Sequence, residues 1–324
     1  YNNLFKYFQR IGDLMKIALI FLIIFSNNLW ASIENAPPSY SLKRGDGSKA
    51  VFVDIKNALY KINYDVDKLQ TMVTSTITFE MPEEGRPVID LVPLIRSAKI
   101  GDERISTNTF SPDNVSTLRY LDKLLEEGEY TVVIEHKLEK YLRYSTYNKS
   151  VRSAFWMSDL SDRRFLEQFL PTSLEYDQYS ITFEVEVVGT NINHVIKTNG
   201  NMIESEDNKW KISYPDYFTS SSIFFHLFEK GAYKENNFTY QSIDGRTINV
   251  DLYGTSYLSE YKTRTLSVLR ELENDYGVWP HEGLVIYGAG SGGMEYCGAT
   301  ITSLRALGHE LIHSYFARGV MSAR

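Results

Sequence analysis

Cysteine is nearly absent: Cys297 is the only one in 324 residues, so no intrachain disulfide can staple this fold. Runs of Lys or Arg are absent as well, and the formal net charge is −7. Without a basic patch to displace counterions from phosphates, a nucleic-acid partner is not expected. Internal repeats and low-complexity tracts are missing too. No apolar run approaches the roughly 20 residues that span a bilayer. Ile17 to Phe25 supplies nine, preceded by Lys16 and followed by Ala31, which suits the h-region of an export signal. Residues 15–32 therefore read as a signal peptide starting at Met15, with a signal anchor or a buried helix as the alternative. Residues 1–14 are then upstream sequence without a structural role, and no stable membrane span is expected after cleavage. The first residue is Tyr1 and the last lies in or just after a helix, so the chain is expected to be clipped at both ends.

What is present is a globular composition, 43% hydrophobic and 14% aromatic, at a length that accommodates two domains. After a polar linker at 33–50, residues 51–254 read as a β-rich domain. Ile181, Phe183, Val185 and Val187 alternate with polar neighbours, and Met72–Met81 and Thr131–Glu139 behave alike. Many strands without long helices between them predict an antiparallel sandwich or saddle. From residue 255 the period changes. Leu258, Tyr261, Thr265, Val268, Leu269, Leu272 and Tyr276 recur at three and four, with Ser256 as expected N-cap and Gly277 as stop. A strand at Leu284–Tyr287, a glycine cluster and a helix at Ser303–Arg318 follow. The fold class is therefore α+β and multidomain.

The last helix carries His309, Glu310 and His313, an H-E-x-x-H motif. At about 100° per residue, His313 lies about 40° and Glu310 about 100° from His309. Leu304, Leu307, Leu311 and Tyr315 fall on the opposite face, so the ligand face and the core face are separate. Imidazole nitrogens suit Zn²⁺, and a catalytic site takes three protein ligands plus water. His309 and His313 are thus candidate metal ligands. Glu310, too far round the helix to be a ligand, is the candidate catalytic base. The competing reading is a chance match on a solvent-facing helix. A metzincin would place glycine three and histidine six residues after His313, where this chain has Phe316 and Gly319, so that option fails.

Upstream stands GGMEY, Gly292 to Tyr296. GGMEY followed by HELIH resembles the aminopeptidase N family of gluzincin metallopeptidases, marked by G-x-M-E-N and H-E-x-x-H with a glutamate eighteen residues further on. The resemblance implies a thermolysin-like domain opening at 255–324 and one catalytic zinc. It also implies a peptide or protein substrate held along Gly292, Gly293, Met294 and Glu295, with Glu295 binding the free α-amine. The third zinc ligand and a transition-state tyrosine would then lie beyond Arg324, leaving this stretch inactive alone. Tyr296 stands where the family has asparagine, and the two motifs sit closer together than in familiar members, which suggests a divergent bacterial branch. Arg164–Pro171 and Tyr214–Phe225 are fainter likenesses. The expectation is an exported zinc aminopeptidase, located in the periplasm, the cell envelope or the medium. A thermolysin-type endopeptidase and a non-catalytic peptide-binding module remain the alternatives. Gly288–Gly293 also matches G-x-G-x-x-G, but Thr300–Thr302 reads as extended and not as the helix a dinucleotide loop needs. His136, His194, His226 and His281 stand isolated and are expected to be satisfied strand or loop residues; Cys297 is expected to be a small buried residue.

Overall fold

A computed structural model describes residues 36–43, 45–110, 118–156, 165–174 and 177–316. The expected export signal and the segment before it lie outside the described residues. Within the expected linker, Tyr40–Ser41 and Lys49–Phe52 instead form paired strands of a five-stranded sheet.

Alternation in the sequence becomes an eight-stranded sheet. Its four central strands are Ser180–Val188, Asp54–Asp65, Gln70–Met81 and Gly128–Leu138, side by side. Every second residue of Gln70–Met81 is buried, because one face of the pleat packs on the core while the other meets water. Phe183, Tyr60, Phe155 and Phe225 close that core with stacked and edge-on ring contacts. The sheet is not wholly antiparallel: Ser180–Val188 runs parallel to Asp54–Asp65.

A six-stranded sheet carries the Gly293–Tyr296 strand. Thr247–Gly254, Gly283–Gly288 and Ala299–Thr302 are parallel neighbours. The helix Leu258–Tyr276 is the crossover between the first two, as parallel pairing requires. Strands Lys234–Glu235 and Phe238–Gln241 pair with Thr247–Gly254, so this sheet begins some twenty residues before the boundary expected at 255. The sequence pattern could not show this, since a strand looks the same whichever sheet it joins.

The long helix differs from expectation at both ends. Tyr257, not Ser256, holds the N-cap position, with φ 59° and no side-chain cap. At the other end Tyr276 is half exposed and Glu273 is buried in its place. Glu273 accepts hydrogen bonds from the Tyr240 hydroxyl (2.7 Å), the Trp279 amide (2.8 Å), the Ile243 amide (3.0 Å) and Ser242. Burial alone would raise its carboxyl, but these donors outweigh it and hold the group below the usual range. Its stabilisation is therefore complete above the unfolded-state carboxyl range and lost as pH falls through the lower folded value. Glu273→Ala is expected to cost on the order of 3 kcal/mol in urea unfolding at neutral pH, with the cost shrinking toward acid. An equal cost at both pH values would contradict this role.

Helices cover one face of the six-stranded sheet: Leu252 and Ile286 pack with Val268, Leu269, Leu272, Leu307, Leu311 and Tyr315. The other face meets the β-rich part, where Tyr253, Val285, Tyr296 and Ala299 pack with Phe165, Phe224 and Phe228. No helix among the described residues is long and apolar enough to cross a membrane.

Candidate zinc and peptide site

After Gly283–Gly288 the chain turns through Gly290 (φ +81°) and Gly292 (φ +72°), backbone that glycine adopts without a steric penalty. It enters not a helix but the strand Gly293–Tyr296, which excludes a dinucleotide loop. That strand pairs antiparallel with Ala299–Thr302 through the turn Cys297–Gly298, and it is the last strand on its side of the sheet. The Ser303 amide bonds to the Gly292 carbonyl at 3.0 Å. Antiparallel pairs alternate between bonded and non-bonded, so Gly293 and Glu295 turn their own N–H and C=O groups away from Ala299–Thr302. No strand among the described residues pairs with Gly293–Tyr296 on that side, the position at which an extended peptide adds to a sheet in strand addition.

The same alternation sorts the four candidate substrate residues. Gly293 and Glu295 face the helices, Met294 faces the β-rich part, and Gly292 belongs to the turn. Tyr296 is fully buried and edge-on to Phe224 at 5.3 Å, so the position where the family carries asparagine is here part of the junction core.

The motif helix is shorter than expected. It spans Leu307–Ile312, because Ser303–Ala306 forms a turn in which the Ser303 carbonyl and hydroxyl oxygens both receive the Ala306 amide, at 3.1 and 3.2 Å. His313 sits at its C-cap, and residues 317–318 lie outside the described set. Leu307, Leu311 and Tyr315 are buried and Leu304 is packed against them, the core face that the periodicity predicts.

On the opposite face, His309 Nε2 and His313 Nε2 stand 3.3 Å apart. Two nitrogens each about 2.0–2.1 Å from a tetrahedral zinc are separated by about 3.3 Å, so the pair fits as two adjacent corners of such a site. His309 is exposed and His313 half-buried. Glu310 is turned inward instead, 6% exposed. Its carboxylate occupies the space a side chain on Gly293 would need: a Cβ there would lie 2.0 Å from Glu310 Oε1. Burial pushes the Glu310 carboxyl up; His309 and His313 pull it down, and the charge of Glu295 pushes it up again. Glu295, Glu310 and His313 each offer a ligand atom, all within 4.8 Å of one another. Two carboxylates this close, one on the strand and one on the helix, repel each other when both are ionised, and a cation between them would offset that repulsion.

The remaining histidines stay apart from this cluster. His136 Nε2 bonds to the Phe169 carbonyl at 2.7 Å, His194 to the Val151 amide and Asn208, and His226 to the Tyr253 hydroxyl at 2.9 Å. Cys297 is buried in the hairpin turn. The contact of Glu310 with Gly293 is the feature that sequence reasoning missed; the only trace of it was a glycine on the strand face turned toward the helix.

No family model matches the chain, and no curated protein matches it. Solved structures do. The M1 zinc metallopeptidase from Deinococcus radiodurans superposes with a TM-score of 0.56 at 15% identity, covering 82% of this chain and 64% of that one. A two-domain M1 zinc metallopeptidase variant bound to L-arginine gives 0.54 at 15% identity, with 82% and 64% covered. A variant bound to L-tryptophan gives 0.55 at 15%, with 82% and 65% covered. The chain therefore has the α+β, multidomain fold of the M1 zinc metallopeptidases. It spans just under two thirds of the length of the first of these structures.

Proposed function

We propose that this chain is the β-rich and zinc-binding portion of an exported zinc aminopeptidase. The observation that carries the reading is the set of four side chains where the motif helix meets the strand Gly293–Tyr296: His309 and His313 paired at 3.3 Å, with Glu310 and Glu295 beside them. His309 and His313 would hold the zinc together with a third ligand from beyond residue 324. When bound, zinc supplies Lewis acidity toward a carbonyl and brings water's pKa down to about 7. Glu310 takes the proton from the attacking water and returns it to the leaving amine. The outward N–H and C=O groups of Gly293 and Glu295 hold the peptide extended. The Glu295 carboxylate receives the substrate's ammonium group, which counts the cleavage point from the N-terminus. Export rests on the pattern of residues 15–32 alone.

Two measurements test this in the full-length protein. Elemental analysis is expected to return one zinc per chain, falling well below one in His309→Ala; a metal-free wild type would favour a non-catalytic binding module. Aminoacyl amides are expected to be cleaved and their N-acetylated forms spared by at least about ten-fold, since an amide nitrogen gives Glu295 no charge to bind. Equal cleavage of both would point to an endopeptidase of thermolysin type.

A further inference from the structure

At the opposite end of the substrate hairpin lies a cleft of about 690 Å³, within the roughly 300–1,000 Å³ of small-molecule sites. The β-rich part contributes Asn201 and Tyr217 to its wall, the strand Thr247–Gly254 contributes Asp251, the loop before Gly283–Gly288 contributes His281 and Glu282, and the turn Cys297–Gly298 borders it. We propose that this cleft binds a small organic cation, with the Cys297–Gly298 turn as part of its wall. This goes beyond the peptidase reading and needs no metal.

The charge of the cleft selects the ligand. Among the described residues lining it there is no Lys or Arg, while Asp251 and Glu282 are both carboxylates. Lys197 bonds Asp251 at 2.9 Å and Glu235 at 3.1 Å, so one ammonium serves two acids and Glu282 adds a further negative charge. Burial brings the His281 imidazole down to about 4, so it stays neutral and does not repel a cation. His281 is 4% exposed, and its Nε2 has no hydrogen-bond partner among the described residues. Tyr217 is 47% exposed and stacks near His281 at 6.2 Å, leaving a ring face for a cation–π contact.

The turn that borders the cleft is anchored by the β-rich part. The Cys297 amide donates to the Ser222 carbonyl at 3.4 Å, and Asn199 Nδ2 donates to the Cys297 carbonyl at 2.7 Å. A Cβ on Gly298 would meet His281 Cβ at 3.0 Å. Glu295 lies one register pair beyond the pair that closes the turn, Tyr296 with Ala299.

Isothermal titration calorimetry of the full-length protein, with spermidine as the probe, reads occupancy, and saturation at one site per chain is expected. Glu282→Gln and Tyr217→Ala are each expected to raise the Kd about two- to five-fold, with unchanged melting of the unliganded variants. No saturable spermidine binding overturns the proposal. So does an unchanged Kd in a variant carrying both substitutions, which would place the polyamine elsewhere on an acidic protein.

Discussion

Glu310→Gln in the full-length protein is expected to lower kcat for an aminoacyl amide by about 10²–10⁴-fold while zinc stays bound. Glutamine has the shape of glutamate, so it fills the same space against Gly293 and leaves His309 and His313 where they are. What it loses is the ability to accept a proton. Glu310 is buried, so bulk water does not stand in for it as base at this point of the edge strand. KM is expected to change little, because in the proposed function the peptide is held by the strand and by Glu295 and not by Glu310. Measuring kcat, KM and zinc content on one preparation separates the outcomes. A kcat within ten-fold of wild type, with zinc present, would remove Glu310 from the mechanism.

Gly293→Ala is the second large effect, and it tests the packing more than the chemistry. The added Cβ would sit 2.0 Å from Glu310 Oε1 and 2.5 Å from Cδ, far inside van der Waals contact. Either the carboxylate rotates away or the strand retreats by about an ångström, and a shift of that size at a catalytic group costs about 10²-fold. The loss should fall on kcat, with zinc content intact, since the three atoms nearest to that Cβ all belong to Glu310. Gly290→Ala supplies the contrast. Gly290 has φ +81° but nothing within 4 Å of its Cβ position, so alanine there costs only about 1–2 kcal/mol of backbone strain. If Gly293→Ala retains wild-type kcat, the observed contact does not position the base.

Much of the fold is legible in the amino-acid order. Alternation located the central strands near Met72–Met81, Thr131–Glu139 and Ile181–Val187, since a half-buried strand must alternate. The helical stretch from Leu258 and the split of the motif helix into a ligand face and a core face were legible for the same local reason. The parallel pairing of Ser180–Val188 with Asp54–Asp65 was not, because the partners lie more than a hundred residues apart and a strand's own sequence does not name its neighbour. Glu273 was overlooked because an acid in a helix reads as solvent-facing. Only the arrival of Tyr240, Ser242 and two loop amides makes it an interior residue. The early start of the six-stranded sheet, at Lys234, was hidden in the same way.

The sequence by itself determined which residues could do the chemistry: two imidazoles one helical turn apart, a carboxylate between them, and a glutamate in a glycine-flanked strand. Those relations hold within one element, where 3.6 residues per turn or a two-residue pleat dictates the face. Only the tertiary structure decided that the strand is an edge strand and that Gly293 and Glu295 turn toward the helix. It alone set the Glu310 carboxylate against the bare face of Gly293. Such contacts are settled by sheet register and by the packing of the helix on the sheet, which no local period in the chain records.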